Sequence, residues 1–286
     1  MHNSHTRLLV VQALAQLSDA QVIPALLMVV NDRSAEVRAI ALEALSHFYH
    51  PVITRHLVQG LHDPSSLVRK SAIVGVSLQA SLLETDPVAL LAFLLADLNP
   101  TVGRQAALAL GRLQTDAAAQ ALTQALIAPT SPIELQLDCV RSLGWMQSAA
   151  ALDGLADGLG SVSEQVKLEI VAVLGRVAPP PLKATATAIL VAALQAQAWQ
   201  QPIILKRAIA FSLGQLGDPQ AIDPLIYLLA DEDASVCLHA IAALKHLETE
   251  PVLQRFHHFR QLTSSPMALQ QGIAIAQQEW GDRETT

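Results

Sequence analysis

The stretch VIPALLMVVNDRSAEVRAIALEAL, residues 22–45, contains two short apolar segments separated by a polar turn. From Val37 to Leu45, apolar residues fall at offsets of 0, 4, 5 and 8, which is one face of an α-helix. Residues 22–30 are also apolar at helical spacing, and residues 31–34 are of the types that interrupt helices and form turns. The stretch therefore predicts two helices joined by a tight turn.

The same pattern recurs along the chain. The last position of the apolar stripe is occupied, in order, by Leu14, Leu45, Val76, Leu110, Leu143, Leu174, Leu213 and Leu244. These positions lie 31 to 39 residues apart, which leaves room for two helices and two turns in each unit and for nothing larger. We therefore expect an all-α fold: an α-α superhelix (solenoid) of about eight helical-hairpin repeats with a degenerate C-terminal capping pair.

Charged residues recur at two fixed places in these units. An aspartate stands five residues before the stripe in four of them: Asp32, Asp63, Asp97 and Asp231. A cation follows the first stripe residue in four: Arg38, Arg69, Lys167 and Lys206. An acid at the first place can accept backbone N–H groups where the second helix begins. Together the two positions predict a stacked ladder of Asp and Arg residues between neighbouring units, structural rather than catalytic.

The repeat resembles HEAT repeats, and more closely the short HEAT-like variety described in phycobilisome bilin lyases. The residues that carry the resemblance are Pro24-Ala25-Leu26-Leu27, then Asp32, then the helix from Val37-Arg38 to Ala44-Leu45, and a Leu-Gly pair that recurs at Leu110, Leu143, Leu174 and Leu213. The resemblance covers essentially the whole chain. It implies an α-solenoid of the armadillo type, whereas function does not follow from such a fold.

The chain is interpreted as a single solenoid over 1–286. Its repeats are expected at about 4–18, 19–49, 50–81, 86–115, 116–148, 149–178, 179–217 and 218–248, with a cap at 250–281. The seventh repeat is longer than the others, and its first helix is expected to extend to about Trp199. The segment Thr6–Leu17 resembles a second helix with no first helix before it, so either the natural chain begins upstream or this helix packs on another chain.

Composition narrows the class of protein. The chain of 286 residues is 51% hydrophobic, only 15% charged, and carries a net charge of −7. An acidic chain is a poor candidate for nonspecific nucleic-acid binding, which needs a broad basic surface. Mean hydropathy is +0.36, but no apolar run is long enough to span a bilayer. The polar N-terminus and two distant cysteines predict a cytoplasmic protein with reduced thiols.

A candidate interaction surface follows from the resemblance, because second helices line the concave face of HEAT-type arrays. Offsets 2, 6 and 10 of each second helix are expected to face solvent there. We call the resulting set the second-helix surface, and its predicted partner-binding residues are Lys70, Arg104, Leu108, Arg112, Leu137, Arg141, Trp145, Leu168, Arg176, Arg207 and Phe211. A surface that is both basic and apolar suits an acidic or amphipathic protein segment.

Three functions compete on this reading. The first is a non-enzymatic scaffold or assembly factor that binds a protein partner. The second, implied by the resemblance alone, is an E/F-type phycobiliprotein bilin lyase or a related phycobilisome-associated factor; its arginines would pair with the propionates of a bilin. The third is a HEAT-like DNA glycosylase, which the net charge disfavours, as does the expectation that no acidic catalytic residue lies among the surface arginines.

Other chemistry finds little support. HEAT-like enzymes with a di-iron centre use repeated His-Glu pairs, and the chain contains no His-Glu pair although it has ten histidines. We expect no metal site and no catalytic residue. Cys139 occupies a stripe position and is expected to be buried, whereas Cys237 occupies a ladder position and is expected to be partly accessible.

Overall fold

The computed structural model describes residues 4–17, 19–196, 202–262 and 266–281. Over these ranges the chain is helical and forms no strand. The α-helices are α1 (Ser4–Ala15), α2 (Ile23–Val29), α3 (Ala35–Leu45), α4 (Pro51–Gly60), α5 (Ser66–Leu78), α6 (Pro87–Ala92), α7 (Pro100–Leu113), α8 (Asp116–Ile127), α9 (Ile133–Met146), α10 (Ala149–Ser161), α11 (Glu164–Leu174), α12 (Pro180–Ala196), α13 (Ile203–Leu216), α14 (Ile222–Tyr227), α15 (Ala234–Leu244), α16 (Thr249–Gln261) and α17 (Met267–Gly281).

Capping residues explain where several of these helices begin. The Oγ1 atom of Thr115 accepts a hydrogen bond from the Ala118 N–H at the start of α8, and Ser148 Oγ accepts one from Ala151 at the start of α10. Asp86 accepts from the Val88 N–H, and a proline occupies the first turn of α6. Such side chains satisfy the N–H groups that a helix leaves without an internal partner.

The chain divides into two compact units, Met1–Met146 and Gln147–Thr286. In the first unit the second helices α1, α3, α5, α7 and α9 pack in sequence against one another, and α2, α4 and α8 pack on their own second helices. The second unit repeats this arrangement, with α11, α13 and α15 packed in sequence. The expectation of a single solenoid over 1–286 stays a prediction.

The predicted stripe forms the core of both units. From Val37 to Leu244, every stripe residue at offsets 0, 4, 5 and 8 is buried, and none is more than 6% exposed. Burial of each Val, Leu or Ile side chain contributes about 1.5–3 kcal/mol, which is the main source of stability in such an array. The stripe prediction is confirmed.

The recurring Leu-Gly pair allows successive second helices to approach closely. A Cβ atom on Gly111 would lie 2.9 Å from Cβ of Ser142, and one on Gly175 would lie 2.7 Å from Cβ of Ser212. Both serines lie on the next second helix along the chain. The leucine of each pair is therefore a core residue, and its glycine provides the space for the neighbouring helix.

The first and the last described helices each pack on a neighbouring helix. Helix α1 packs on α3 as a second helix would, while Leu9 and Val10 on its other side are exposed. At the other end, α16 and α17 pack together as the predicted closing pair. In the seventh repeat α12 is described as far as Ala196, and Trp199 lies outside the described residues.

Candidate functional site

A ladder of ion pairs joins consecutive repeats in the first unit. Nε and Nη2 of Arg38 donate to the two carboxylate oxygens of Asp63 at 2.8 and 2.7 Å, and Nη1 donates to the Asp32 carbonyl at 2.8 Å. Arg69 makes the same contacts one repeat later, to the carboxylate of Asp97 and the carbonyl of Asp63. Each guanidinium thus connects the turn of its own repeat to the next turn. We call each such cation–carboxylate pair a rung.

Two further rungs complete the observed ladder. Arg7 donates to both carboxylate oxygens of Asp32 at 2.7 and 2.9 Å. In the second unit, Nζ of Lys206 lies 2.6 Å from Oδ2 of Asp231. The predicted ladder is therefore confirmed for four aspartates, and Arg7 is an additional member. The ladder position that would pair with Lys167 is Gln200, which lies outside the described residues.

The aspartates of the rungs also accept backbone N–H groups in the turns just before the second helices. The same oxygens accept backbone N–H groups of Ser34, Ser65 and Asn99 at 2.8 Å. For Asp63 and Asp97, burial on its own raises the pKa, but the bonds from arginine and from these N–H groups outweigh it, so each pKa lies below its ordinary value. For Asp32 the bond from Arg7 is the largest cause, and the pKa is again lowered.

The ladder is interrupted between the fourth and fifth repeats. Gly103 occupies the position held by Arg38 and Arg69, and Thr130 occupies the position of the next aspartate. A Cβ atom at residue 103 would lie 2.9 Å from the carbonyl oxygen of Leu95. No side chain from residue 103 could therefore bridge the two turns without moving the backbone.

An ion pair at a shifted position joins α7 to α9 instead. Nε of Arg104 donates to Oδ2 of Asp138 at 2.5 Å, and Arg141 Nη1 lies 3.5 Å from Oδ1 of the same carboxylate. Asp138 is buried, at 5% exposure, between these two arginines. An acidic residue thus lies among the surface arginines, because offset 3 of α9 points towards α7 and brings Asp138 next to Arg104. The expectation that no acidic catalytic residue lies there stays a prediction.

Cavities accompany the missing rungs. A cavity of about 580 Å³ opens between the fourth and fifth repeats, beside Gly103 and Thr130. A second, of about 380 Å³, lies beside Cys237, which replaces the ladder cation of its repeat. At the intact rung of Asp63 the corresponding space is about 60 Å³. The two larger cavities therefore lie where a ladder cation is absent.

The second-helix surface in the first unit consists of residues on three adjacent helices. Lys70 and Leu137 are half-buried, and the exposed members are Arg104, Leu108, Arg112, Arg141 and Trp145. Helices α5, α7 and α9 pack in that order, so these residues share one face. Trp145 is 62% exposed. Because Asp138 pairs with Arg104 and Arg141, this part of the surface is less basic than the sequence indicates.

In the second unit, the predicted residues lie on α11 and α13. Leu168 and Arg207 are half-buried, while Arg176 and Phe211 are exposed. Arg207 and Phe211 border a cavity of about 300 Å³ together with Ile204 and His239. The Nε atom of Arg207 is buried and has no hydrogen-bond partner among the described residues. A buried N–H without an acceptor is costly, and an anionic oxygen would satisfy it.

The cysteines lie as predicted. Cys139 is buried, and that burial, followed by the negative charge of Asp138, raises the pKa of its thiol to about 12. Cys237 is half-buried, and its Sγ donates to the Asp231 carbonyl at 3.2 Å, where Arg38 Nη1 contacts Asp32 in its own repeat. Both cysteines are free thiols.

In the described part of the chain, no group of three or more His, Cys, Asp or Glu residues is arranged to hold a metal ion. No helix within the described ranges is both long and apolar enough to cross a membrane.

The solved structures that are similar to this chain share low sequence identity with it. Human deoxyhypusine hydroxylase in complex with glycerol is 20% identical, with a TM-score of 0.41 over 86% of this chain and 91% of that one. An engineered protein is 19% identical, with a TM-score of 0.45 over 96% and 85%. The complex of CpcE and CpcF of phycocyanin lyase from Nostoc sp. PCC7120 is 15% identical, with a TM-score of 0.43 over 91% and 97%. No curated protein matches the chain.

Family assignment comes from the sequence profile of HEAT repeats. It matches residues 2–77, 54–136, 85–175 and 187–262, which together include most of the chain. The same ranges contain the buried stripe and the ion-pair ladder described above. This chain belongs to the HEAT-repeat family.

Proposed function

We propose that this protein is a non-enzymatic scaffold or assembly factor that binds an acidic, amphipathic segment of a protein partner on its second-helix surface. HEAT repeats commonly mediate protein interactions, and the exposed residues of this surface combine arginines with large apolar side chains. Aromatic and arginine residues contribute most to binding energy in protein interfaces. Trp145 in the first unit and Phe211 in the second are the expected anchors.

The observation that carries the proposal is the cavity at Arg207. Its walls are the apolar side chains of Ile204 and Phe211, and the buried Nε of Arg207 lacks an acceptor among the described residues. Asp233, the acid whose pKa Arg207 helps to lower, is hydrogen-bonded to Ser235 instead. The surface of this cavity is almost wholly apolar, so it suits an apolar side chain of a partner helix, and the guanidinium of Arg207 supplies a positive charge for a glutamate or aspartate beside that side chain.

Fluorescence anisotropy with a labelled peptide tests this function. The probe is a 16-residue amphipathic helix with leucines on one face and glutamates beside them, and its control carries lysines in place of the glutamates. We expect the acidic probe to bind and the basic one not to bind. Arg207→Gln and Phe211→Ala should each weaken binding about tenfold, whereas Arg260→Gln, on α16 outside the surface, should not change it.

The first unit is tested by Arg141→Gln combined with Trp145→Ala. Glutamine is preferred to glutamate at 141, because a glutamate would add a like charge beside Asp138. We expect lost affinity with a nearly unchanged melting temperature, since both side chains are exposed. Unfolding of this double variant, or equal binding of acidic and basic probes, would contradict the proposal.

A bilin-binding role is the alternative, since a propionate is also a carboxylate that Arg207 could bind. The cavity beside Arg207, about 300 Å³, lies at the lower end of the range for small-molecule sites, which favours a side chain over a tetrapyrrole. Addition of phycocyanobilin decides between them. A shift in visible absorbance at stoichiometric ratios that Arg207→Gln removes would favour the bilin role.

A further inference from the structure

The largest of the cavities described above lies at a position that an arginine fills elsewhere in the chain. At the two preceding rungs a guanidinium lies between the Asp carbonyl of one turn and the Asp carboxylate of the next, with nearly identical distances at Arg38 and Arg69. At the next step the chain supplies Gly103, and the space of about 580 Å³ remains. The two preceding rungs thus indicate that a guanidinium suits this position.

The acceptors for such a group are still present. The Asp97 carbonyl corresponds to the carbonyls of Asp32 and Asp63 that accept from arginine, and no described side chain donates to it. Thr130 and Ser131 border the other side of the cavity, together with the carboxylate of Glu134. Oxygen acceptors on both sides, with apolar walls that include Leu95 and Pro132, suit a planar cation on an aliphatic stem.

The local charge also favours a cation. Asp97 is paired with Arg69, and Arg104, which borders the cavity, is paired with Asp138. Glu134 makes no ion pair within 4.0 Å with any residue that the structure describes, although its charge also acts on Arg104, so its carboxylate is available to a further cation. The cation cannot come from residue 103, because the Leu95 carbonyl occupies the place of a Cβ atom.

The rim of the cavity indicates that the cation belongs to a protein. Leu98, on the turn that borders the cavity, is fully exposed. In the other repeats the residue that follows the ladder aspartate is Arg33, Pro64 or Glu232. An exposed leucine beside a cation site fits a peptide segment with an apolar residue next to its arginine.

We propose that the cavity between the fourth and fifth repeats binds an arginine side chain of a partner protein, which completes the interrupted ladder. The guanidinium would donate to the Asp97 carbonyl and to Glu134, and the neighbouring apolar residue would pack on Leu98. This site is separate from the second-helix surface and does not depend on the acidic segment proposed for it.

The first test uses butylguanidinium, with neutral butylurea as its matched control, in NMR titrations of the intact chain. We expect saturable shifts of the Gly103, Ser131 and Glu134 amides with butylguanidinium alone. Thr130→Asp, which restores the acid of a normal rung, should strengthen binding about tenfold, and Glu134→Gln should weaken it severalfold. Glu36→Gln is the control, because Glu36 occupies the same position beside an intact rung.

The second test identifies the source of the cation. The tripeptide acetyl-Leu-Arg-Leu-amide should bind more tightly than butylguanidinium, and its citrulline analogue should not bind. Residues 130 and 134 are exposed, so both variants should keep the wild-type melting temperature. Equal responses to butylguanidinium and butylurea, binding unaffected by both variants, or binding of butylguanidinium but not of the tripeptide would each overturn the proposal.

Discussion

Consecutive repeats of the first unit are joined by polar contacts in two different ways, one before Asp97 and one after it. Up to Asp97, each turn is tied to the next by a bidentate arginine whose side chain is about 85% buried. One repeat later, Gly103 and Thr130 replace the pair, a cavity opens, and Arg104 forms an ion pair from a half-exposed position. The comparison shows that the ladder can be interrupted while the hydrophobic stripe beneath it continues.

The difference has an energetic meaning. Stability in a repeat array is the sum of the stability of each repeat and of each interface between neighbours. The stripe is equally buried on both sides of the interruption, so the interfaces differ mainly in their polar contacts and in the cavity beside Gly103. Local opening should therefore be easier between the fourth and fifth repeats than between the second and third.

The largest expected effect comes from removal of an intact rung. Asp63→Ala should lower the free energy of unfolding by about 3 kcal/mol, because it leaves the mostly buried Arg38 guanidinium without its carboxylate. Thr130→Ala, at the equivalent position of the interrupted rung, should change it by less than about 0.5 kcal/mol. Chemical denaturation measures both, and equal losses would show that the rung at Asp63 contributes no more than an ordinary surface position.

The second prediction concerns the glycine at the interruption. Gly103→Ala should cost about 2 kcal/mol, since its Cβ would lie 2.9 Å from the Leu95 carbonyl and the backbone would have to move. Gly160→Ala is the control in another helix, where a Cβ meets nothing within 4 Å. There the higher helix propensity of alanine should give a small gain in stability. A neutral Gly103→Ala would mean that the turn moves away at little cost.

A smaller effect is expected at the shifted ion pair. The Arg104 side chain is 46% exposed, compared with 14% for Arg38. Solvent weakens exposed ion pairs, so Arg104→Met should cost about 1 kcal/mol or less, and Arg38→Met about 2 kcal/mol. Chemical denaturation tests which variant loses more stability: the midpoints of the two unfolding curves are compared, with one slope of unfolding free energy against denaturant concentration used for both. The reverse order would indicate that Asp138 depends on Arg104 more than the exposure implies.

The smallest expected effect is on the acid sensitivity of stability, which should differ between the wild type and a variant that lacks a rung. The folded-state pKa values of Asp32, Asp63 and Asp97 lie below the unfolded value near 4, so the folded state binds fewer protons there. Their stabilisation is complete above the unfolded pKa and is lost as pH falls through the folded pKa. Unfolding curves between pH 5 and pH 2 should show a shallower dependence in Asp63→Ala than in the wild type. Identical slopes would exclude Asp63 as a source of acid sensitivity.

Much of this organisation could be predicted from the sequence, because it repeats. The stripe from Val37 to Leu244 and the rungs at Asp63 and Asp97 recur at the same positions within each repeat, and each recurrence supports the others. Arg7 has the same spacing from Asp32 and could have been found in the same way.

The features that the sequence pattern did not predict are ones that do not recur from repeat to repeat. Asp138 occupies a position that is charged in no regular way, and its burial depends on how closely α7 and α9 pack. The cavity at Gly103 depends on the approach of the Leu95 carbonyl, a backbone contact that side-chain patterns do not record. The unsatisfied Nε of Arg207 is likewise a property of packing, although the residue itself was selected by its offset.

The two free thiols have a practical consequence, because one lies in each compact unit. Cys139 is enclosed in the first unit and holds its proton strongly, so an alkylating reagent can modify it only when the surrounding helices separate. Cys237, half-buried in the second unit, should react sooner. The alkylation rates of the two cysteines, measured by mass spectrometry, would therefore report local opening of each compact unit in one sample, without any engineered probe.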